Sequence, residues 1–177
     1  MHTHIFLTPF GWVNTAWTEN GLTALTLPQE NRKKAIAELE QKLTKWKYIN
    51  KKSWPQKATS HLLDLLESAL TDYFHGLPVF FSLPVDLSWC TPFQRRVLET
   101  IRQIPCSKTH SYGQVAIAAG YPGAARAVGI TAGANRTPIV IPCHRVIKHN
   151  GTPGGFSGNT ELKKRLLALE TANIYYT

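Results

Sequence analysis

The sequence predicts an α/β N-terminal domain followed by a mainly α-helical C-terminal domain that contains a helix-turn-helix. Three observations predict this fold class. A β-hairpin pattern opens the chain, two helical segments follow it, and short helical segments separated by glycine and proline fill the second half. We place the domain boundary in the proline-bounded segment 84–92, so that the domains span residues 1–86 and 87–177. A chain of 177 residues is long enough for two small domains.

The N-terminal domain is predicted from turn signals and from hydrophobic spacing. Asn20 and Gly21 lie between two stretches that alternate in β-forming residues, and this pair favours a two-residue type I′ turn. Leucines at helical spacing indicate an amphipathic helix that ends at Gly76 and Pro78. The predicted elements are a hairpin at residues 15–27, a polar helix at 31–45, an amphipathic helix at 58–75 and a strand at 79–84.

The helix-turn-helix is predicted from a capping box and a glycine-containing break. Ser111 and Gln114 have the spacing of a capping box, which opens a helix that runs to Ala119. A break at residues 120–123 separates it from a second helix at 124–134, and two short helices joined in this way are typical of a helix-turn-helix. The other helices predicted in this half span residues 93–104 and 161–170.

Positive charge is concentrated in the second half of the chain. Residues 1–90 contain nine Lys and Arg against eight Asp and Glu, whereas residues 91–177 contain eleven against three. This asymmetry indicates a polyanionic partner, although a basic face kept for solubility explains the charge equally well. The basic residues are dispersed, and no apolar run approaches the ~20 residues that span a bilayer, so we expect no membrane association.

The cysteines bear on the compartment and on metal binding. Cys90, Cys106 and Cys143 are too few and too irregularly spaced for a disulfide framework. Free thiols suit a reducing compartment and the N-terminus lacks a signal-peptide pattern, so we expect a cytoplasmic protein. Cys106 precedes His110 by four residues and Cys143 adjoins His144, and neither spacing is that of a structural zinc site. We therefore expect no metal.

The second helix of the predicted pair consists almost entirely of small residues. Arg126 is its one long side chain, near the start of the segment 124–134. Because reading base edges in the major groove needs several long polar side chains, this composition favours sequence-independent binding in the minor groove. An internal helix packed tightly against a neighbour explains the same composition.

A candidate nucleophile follows the apolar, strand-like run 138–142. Cys143 adjoins His144 and Arg145, and such an electropositive setting favours the thiolate, which is the reactive form of cysteine. Taken alone, a Cys-His pair is more often a buried structural cysteine. The other two cysteines have no such neighbours, and we interpret them as structural.

Glu170 is a candidate partner for the histidine. It lies on one i, i+4 row of the last predicted helix with Leu162 and Leu166. An acid in line with core leucines needs a partner that offsets its desolvation, and His144 provides one. A chain from Glu170 through His144 to Cys143 would orient and polarise the imidazole, as in the triads of nucleophilic enzymes. A frayed helix end with the carboxylate in water fits the same periodicity.

Together these residues resemble a known family. Residues 142–146 (Pro-Cys-His-Arg-Val), preceded by Asn135 and followed by a glycine-rich loop, are similar to the active-site signature of the O6-alkylguanine-DNA alkyltransferases, also called methylated-DNA–protein-cysteine methyltransferases. The similarity runs from residue 86 to residue 170, whereas the first half resembles the family's variable N-terminal domain only loosely. The other matching motifs are Thr91-Pro92-Phe93-Gln94, Ile104-Pro105, Ser111-Tyr112-Gly113-Gln114-Val115-Ala116, Ala125-Arg126-Ala127-Val128-Gly129 and Leu166-Leu167.

The resemblance implies repair by direct reversal, in which the alkyl group of an O6-alkylguanine moves to Cys143. The turnover would be single and irreversible, because a thioether is stable and no second nucleophile is evident. The implied roles are Cys143 as the alkyl acceptor, His144 as its base through a bridging water, Glu170 as the residue that holds His144, Tyr112 as the hydrogen-bond donor to the leaving guanine, Asn135 as the tie between recognition helix and active-site turn, Ser157 as a contact to O6 and Phe156 as an aromatic wall of the pocket.

The resemblance also implies the partner, which is double-stranded DNA containing O6-alkylguanine, bound through the minor groove with weak sequence preference. Arg126 would enter the duplex where the target nucleotide is flipped out. Ala125, Ala127, Gly129 and Tyr112 would lie against the DNA. The resemblance implies no cofactor, and we expect a monomer.

Some positions depart from the family pattern. Cys90 and Ser107 replace a common glycine, Phe156 replaces a common tyrosine, and Asn159 replaces a usual glycine. These changes bear on loop geometry and on the range of alkyl sizes rather than on the reaction.

Two other classes of protein compete with this interpretation. A non-catalytic damage sensor of the alkyltransferase-like type lacks the reactive cysteine, which this chain keeps as Cys143. A helix-turn-helix transcription factor needs a sequence-specific operator and usually a dimer. The lack of long polar residues on the second helix of the pair argues against a transcription factor.

Overall fold

The computed structural model describes residues 1–46, 56–155 and 160–172. The chain divides into two compact units, Met1–Leu87 and Ser88–Thr177, which are called the N-terminal unit and the C-terminal unit below. Across the described residues, no helix is both long enough and apolar enough to cross a membrane.

The N-terminal unit contains an antiparallel sheet made, in spatial order, of β1 (His2–Thr8), β2 (Gly11–Thr18) and β3 (Gly21–Leu25). The predicted hairpin is confirmed, but the type I′ turn is wrong. Thr18 pairs with Gly21, so Glu19 and Asn20 form the turn, and Asn20 lacks the positive φ that a type I′ turn requires. Gly21 has a φ of 123° and approaches another backbone closely, since a Cβ there would lie 2.4 Å from the carbonyl oxygen of Pro84.

Two helices follow the sheet, α1 (Arg32–Lys45) and α2 (Gln56–Phe74), and both are close to their predicted bounds. Asn31 caps α1, because its side chain accepts a hydrogen bond from the backbone N–H of Lys34. In α2 the predicted leucine stripe is buried at Leu66 and Leu70, whereas Leu65 is exposed.

The predicted strand at residues 79–84 is wrong. This stretch joins no ladder, and only Val85 forms an isolated bridge, with Leu22 of β3. Leu22 N–H donates to the carbonyl of Pro84 at 2.9 Å, and Asp86 N–H donates to the carbonyl of Leu22 at 2.8 Å. Pro84 takes part in this pairing through its carbonyl alone, because proline has no N–H to donate.

The described part of the C-terminal unit is mainly helical, with α3 (Pro92–Arg102), α4 (Tyr112–Ala118), α5 (Ala125–Gly133) and α6 (Thr160–Ala172). The capping box at Ser111 is confirmed, and Thr91 forms another at the start of α3. Helices α4 and α5 are joined by residues 119–124 and pack against each other. Two short strands pair in parallel, β4 (His110–Ser111) and β5 (Val146–Ile147).

The apolar run before Cys143 is not a strand. Pro138 and Ile141 form an isolated bridge, and between them Ile139 adopts a left-handed φ of 74°, which is strained for a β-branched residue. Pro138 and Pro142 remove backbone donors from both ends of the run. The chain instead continues into a 3-10 turn at Cys143–Arg145, which packs against α3 and α6.

Candidate active site

Cys143 lies in the 3-10 turn and is buried. The side-chain amide of Asn135 donates to Cys143 Sγ at 3.1 Å and to the carbonyl of Ile141 at 2.9 Å. The amide oxygen of Asn135 accepts a hydrogen bond from the backbone N–H of Thr137 at 3.1 Å, which fixes the orientation of the amide. Asn135 therefore joins the end of α5 to the turn that carries the thiol.

The electrostatic setting of the thiol differs from the one that its sequence neighbours predict. Burial raises the pKa of Cys143, and this effect outweighs the hydrogen bond from Asn135 and the positive charge of Lys163, both of which lower it. Arg145 does not contribute, because its guanidinium points to Glu170. Burial therefore works against the thiolate that the sequence neighbours were predicted to favour, and the thiol needs a base to ionise.

His144 is suited to be that base. It is fully buried, and its Nε2 lies 2.6 Å from Glu170 Oε1. Because an ionised carboxylate can only accept, Nε2 carries the proton and the basic lone pair of the neutral ring is on Nδ1. Burial lowers the pKa of His144, although the hydrogen bond and charge of Glu170 oppose this. The imidazole is therefore neutral at physiological pH and can accept a proton.

Glu170 is held by Arg145 as well as by His144. Arg145 Nε donates to Glu170 Oε2 at 2.9 Å, and Nη2 donates to Oε1 at 3.0 Å. Nη1 of the same guanidinium donates to the carbonyl of Ile104 at 2.6 Å. Burial alone would raise the pKa of Glu170, but the hydrogen bonds and charges of His144 and Arg145 outweigh it and lower the pKa to about 2. The carboxylate thus remains ionised inside the unit.

Lys163 is a buried cation that the sequence analysis missed. It has no exposed surface, and its Nζ donates to the carbonyl of Val146 at 2.6 Å. Burial lowers its pKa to about 8, although Cys143 opposes this shift. A signal was present, since Lys163 precedes Glu170 by seven residues and therefore lies on the same face of α6.

The buried polar side chains of the turn, of α6 and of Asn135 after α5 are called the buried polar cluster below. Its members are Asn135, Cys143, His144, Arg145, Lys163 and Glu170.

Tyr112, the first residue of α4, packs beside two glycines. A Cβ on Gly129 of α5 would lie 3.6 Å from the Tyr112 ring, which is ordinary contact. A Cβ on Gly154 would lie only 2.7 Å from the Tyr112 hydroxyl, and Gly154 also has a φ of 67°, so this position excludes side chains. Burial and the charge of Cys143 raise the pKa of Tyr112, which keeps its hydroxyl protonated and able to donate.

The remaining predicted site residues are on α5 or outside the described residues. Arg126 is exposed on α5, and Ala125, Ala127 and Gly129 are half-buried on the same helix. Phe156, Ser157 and the neighbouring Asn159 are outside the described residues. Within 1–46, 56–155 and 160–172, no three His, Cys, Asp or Glu side chains are grouped so that they could hold a metal ion.

The geometry defines a class of protein: one with a buried cysteine next to a buried histidine that an ionised glutamate orients. Residues 92–172 match the family model of the DNA-binding domain of 6-O-methylguanine DNA methyltransferase. The chain is 36% identical to the constitutive methylated-DNA–protein-cysteine methyltransferase of Bacillus subtilis, over 92% of this chain and 91% of that protein. The chain belongs to the family of methylated-DNA–protein-cysteine methyltransferases.

Two further similarities differ in extent. Over 105 residues the chain is 47% identical to the methylated-DNA–protein-cysteine methyltransferase of Salmonella typhimurium, and this match covers 59% of the chain but only 61% of that relative's length. Among solved structures, the chain is similar to Mycobacterium tuberculosis OGT in complex with DNA, with a TM-score of 0.73, 34% identity, and coverage of 97% of this chain and 94% of that one.

Proposed function

We propose that the protein repairs alkylated DNA by moving the alkyl group from O6 of a guanine to Cys143 Sγ, once and irreversibly. The observation that carries this proposal is the line of hydrogen bonds from Arg145 through Glu170 to His144, beside a cysteine held by Asn135. Membership of the methyltransferase family supports the same reaction.

The transfer is a single displacement. His144 Nδ1 takes the Cys143 proton through a bridging water, and the resulting imidazolium is stabilised by the Glu170 carboxylate. The sulfur then forms a bond to the alkyl carbon while the bond between that carbon and O6 breaks. The electron pair of the broken bond stays on the guanine, and the product on the protein is a thioether.

Tyr112 is proposed to donate a hydrogen bond to the guanine ring, which stabilises the negative charge that the leaving base gains as the bond to O6 breaks. Its protonated hydroxyl supports this role. By resemblance, Ser157 holds O6 and Phe156 forms a wall of the pocket.

DNA binding is proposed for the C-terminal domain, residues 87–177, with α4 and α5 as a helix-turn-helix. The small residues of α5 would enter the minor groove, and the exposed Arg126 would fill the gap left by a flipped nucleotide. The excess of Lys and Arg in residues 91–177 supports a polyanionic partner, and so does the similarity to an OGT in complex with DNA. Activity as a cytoplasmic monomer without metal or cofactor remains a prediction.

Mass spectrometry of the whole protein tests the reaction. After mixing with an oligonucleotide duplex that contains O6-methylguanine, the protein should gain one methyl group, located on the peptide that contains Cys143. Cys143→Ser should bind the same duplex without any mass gain. Methylation on Cys90 or Cys106, or tight binding by the wild type with no mass change, would refute the proposal; the second result is expected of a damage sensor.

A further inference from the structure

Ser107 lies in the loop between α3 and β4 and has an unusual backbone. Its φ is 63°, and among the described residues it shares a positive φ only with Ile139 and with glycines. A side chain disfavours this left-handed conformation, so glycine is the residue expected there. The contacts of the side chain should therefore explain why a serine stands at this position.

Both polar groups of Ser107 reach the same residue. The hydroxyl donates to the backbone carbonyl of Glu170 at 2.5 Å, and the backbone N–H donates to Glu170 Oε2 at 3.2 Å. The Sγ of Cys106 is 3.9 Å from the hydroxyl and is the weaker acceptor, so the proton is directed to Glu170.

The carbonyl that accepts from Ser107 is in the last turn of α6, which ends at Ala172. Ser107 therefore fixes the backbone of Glu170 through its hydroxyl and one carboxylate oxygen through its N–H, while the other oxygen faces His144.

We propose that the Ser107 hydroxyl is a positioning residue for alkyl transfer: it holds Glu170 at hydrogen-bond distance from His144. This inference rests on the proposed function. His144 is faced by Glu170 and Lys163 from α6 and by Arg145 from its own turn. Of these, only Glu170 stabilises the imidazolium. A looser Glu170 therefore makes His144 a weaker base, and formation of the Cys143 thiolate becomes less favourable.

Ser107→Gly and Ser107→Ala separate the hydroxyl from the backbone strain. Both variants lose the hydroxyl and keep the N–H, but only glycine relieves the positive φ. We expect both to slow methyl transfer at neutral pH about three- to tenfold, the change that one hydrogen bond produces. The pKa of the acid limb of the rate profile, which reports His144, should fall by about half a unit in both, and Ser107→Gly should melt at a higher temperature than Ser107→Ala.

Thr171→Ala is the matched control, because Thr171 Oγ1 also donates to carbonyls near the end of α6, those of Leu167 and Ala168, and both of its bonds to described residues stay within the helix. It should leave the pH profile unchanged. A Ser107→Gly rate equal to wild type at every pH would overturn the inference. So would a loss that is uniform with pH and accompanied by a lower melting temperature. If the wild type transfers no methyl group in the same assay, the proposed function itself has failed.

Discussion

The two parts of the C-terminal unit to which we assign functions are built in opposite ways. The buried polar cluster packs charged side chains away from water, with hydrogen bonds linking Glu170 to Arg145 and His144. The exposed side of α5 carries a single long cation, Arg126, together with the apolar Ile130 and the small Gly133. Groups that move protons need pKa values set by burial and by fixed partners. A helix that approaches a duplex closely needs small side chains.

This contrast has consequences for what substitution does in each region. In the cluster, removal of one charge leaves another buried without compensation, so stability and chemistry change together. On α5, a side chain in water can be removed with little effect on folding. Substitutions in the two regions should therefore have different effects on stability, on reaction with DNA and on reaction with a free base.

The largest effect is expected for Glu170→Gln. The variant keeps the shape of the side chain but leaves the cation of Arg145 without its buried anion, which should lower the free energy of unfolding by about 3–5 kcal/mol. Methyl transfer should fall with it. Denaturant unfolding and single-turnover rates measure the two effects.

Thr26→Val in the N-terminal unit is the control for Glu170→Gln. Thr26 is equally buried, and its hydroxyl accepts a neutral hydrogen bond from Asn14 N–H at 2.9 Å. Its loss should lower stability by only about 1–3 kcal/mol and leave transfer unchanged. A larger loss of stability in Thr26→Val than in Glu170→Gln would contradict the view that the cluster depends on its charges.

The second-largest effect is expected for acid, which should lower the stability of the C-terminal unit. The pKa of Glu170 is about 2 in the folded protein against an ordinary 4.5, so its contribution to stability is full above pH 4.5 and is lost as the pH falls toward 2. This contribution is on the order of 3 kcal/mol. The pKa of His144 is also lowered on folding, so the free energy of unfolding begins to fall below the ordinary His pKa of 6.5, where the unfolded chain takes up a proton.

Hydrogen exchange at a series of pH values measures this loss separately in each unit. Amides of α6 and of the Cys143–Arg145 turn should lose protection in acid before those of β1 to β3. In Glu170→Gln the part of the acid dependence below pH 4.5 should disappear. Equal acid sensitivity in the wild type and in Glu170→Gln would show that other groups control the loss of protection.

Helices and their caps could be predicted from the sequence because local signals determine them. The capping box at Ser111 and the spacing of α6 depend on residues three or four positions apart. The predictions of a strand at 79–84 and of a type I′ turn failed, because Gly21 and Pro84 are distant in sequence and meet only in the folded unit. Local patterns say which backbone is permissive, but not which distant backbone it approaches.

The site was partly predictable for the same reason. The pairing of Glu170 with His144 follows from a carboxylate placed on a row of core leucines. The orientation of the Arg145 side chain was not predictable. Its nearness to Cys143 in sequence indicates an electropositive setting for the thiol, but the guanidinium points to Glu170. The contact of Ser107 with Glu170 joins residues 63 positions apart, and no spacing rule indicates it.

Lys163→Met should have a smaller effect than loss of Glu170, and it should act on chemistry in both duplex DNA and a free base. Lys163 lowers the pKa of the Cys143 thiol, so its removal should raise that pKa further. The transfer rate at neutral pH should fall about ten- to a hundredfold, since each pKa unit is a factor of ten. The deficit should shrink as the pH is raised, which a pH–rate profile measures; a deficit that persists at high pH would mean that Lys163 acts through structure.

Arg126→Ala should have the smallest effect and should be selective for duplex DNA. The arginine is exposed, so the fold should not change. If it fills the stack after the target base is flipped, its loss leaves part of the unstacking cost of a few kcal/mol without compensation, and transfer from a duplex should slow about tenfold. Reaction with free O6-benzylguanine needs no flipping and should match wild type. Arg96→Ala, which removes an equally exposed positive charge from α3, controls for the loss of general attraction to phosphates. Equal slowing of the duplex and free-base reactions by Arg126→Ala would place the arginine in the chemistry or the fold rather than in base flipping, and the division between the two regions would then fail.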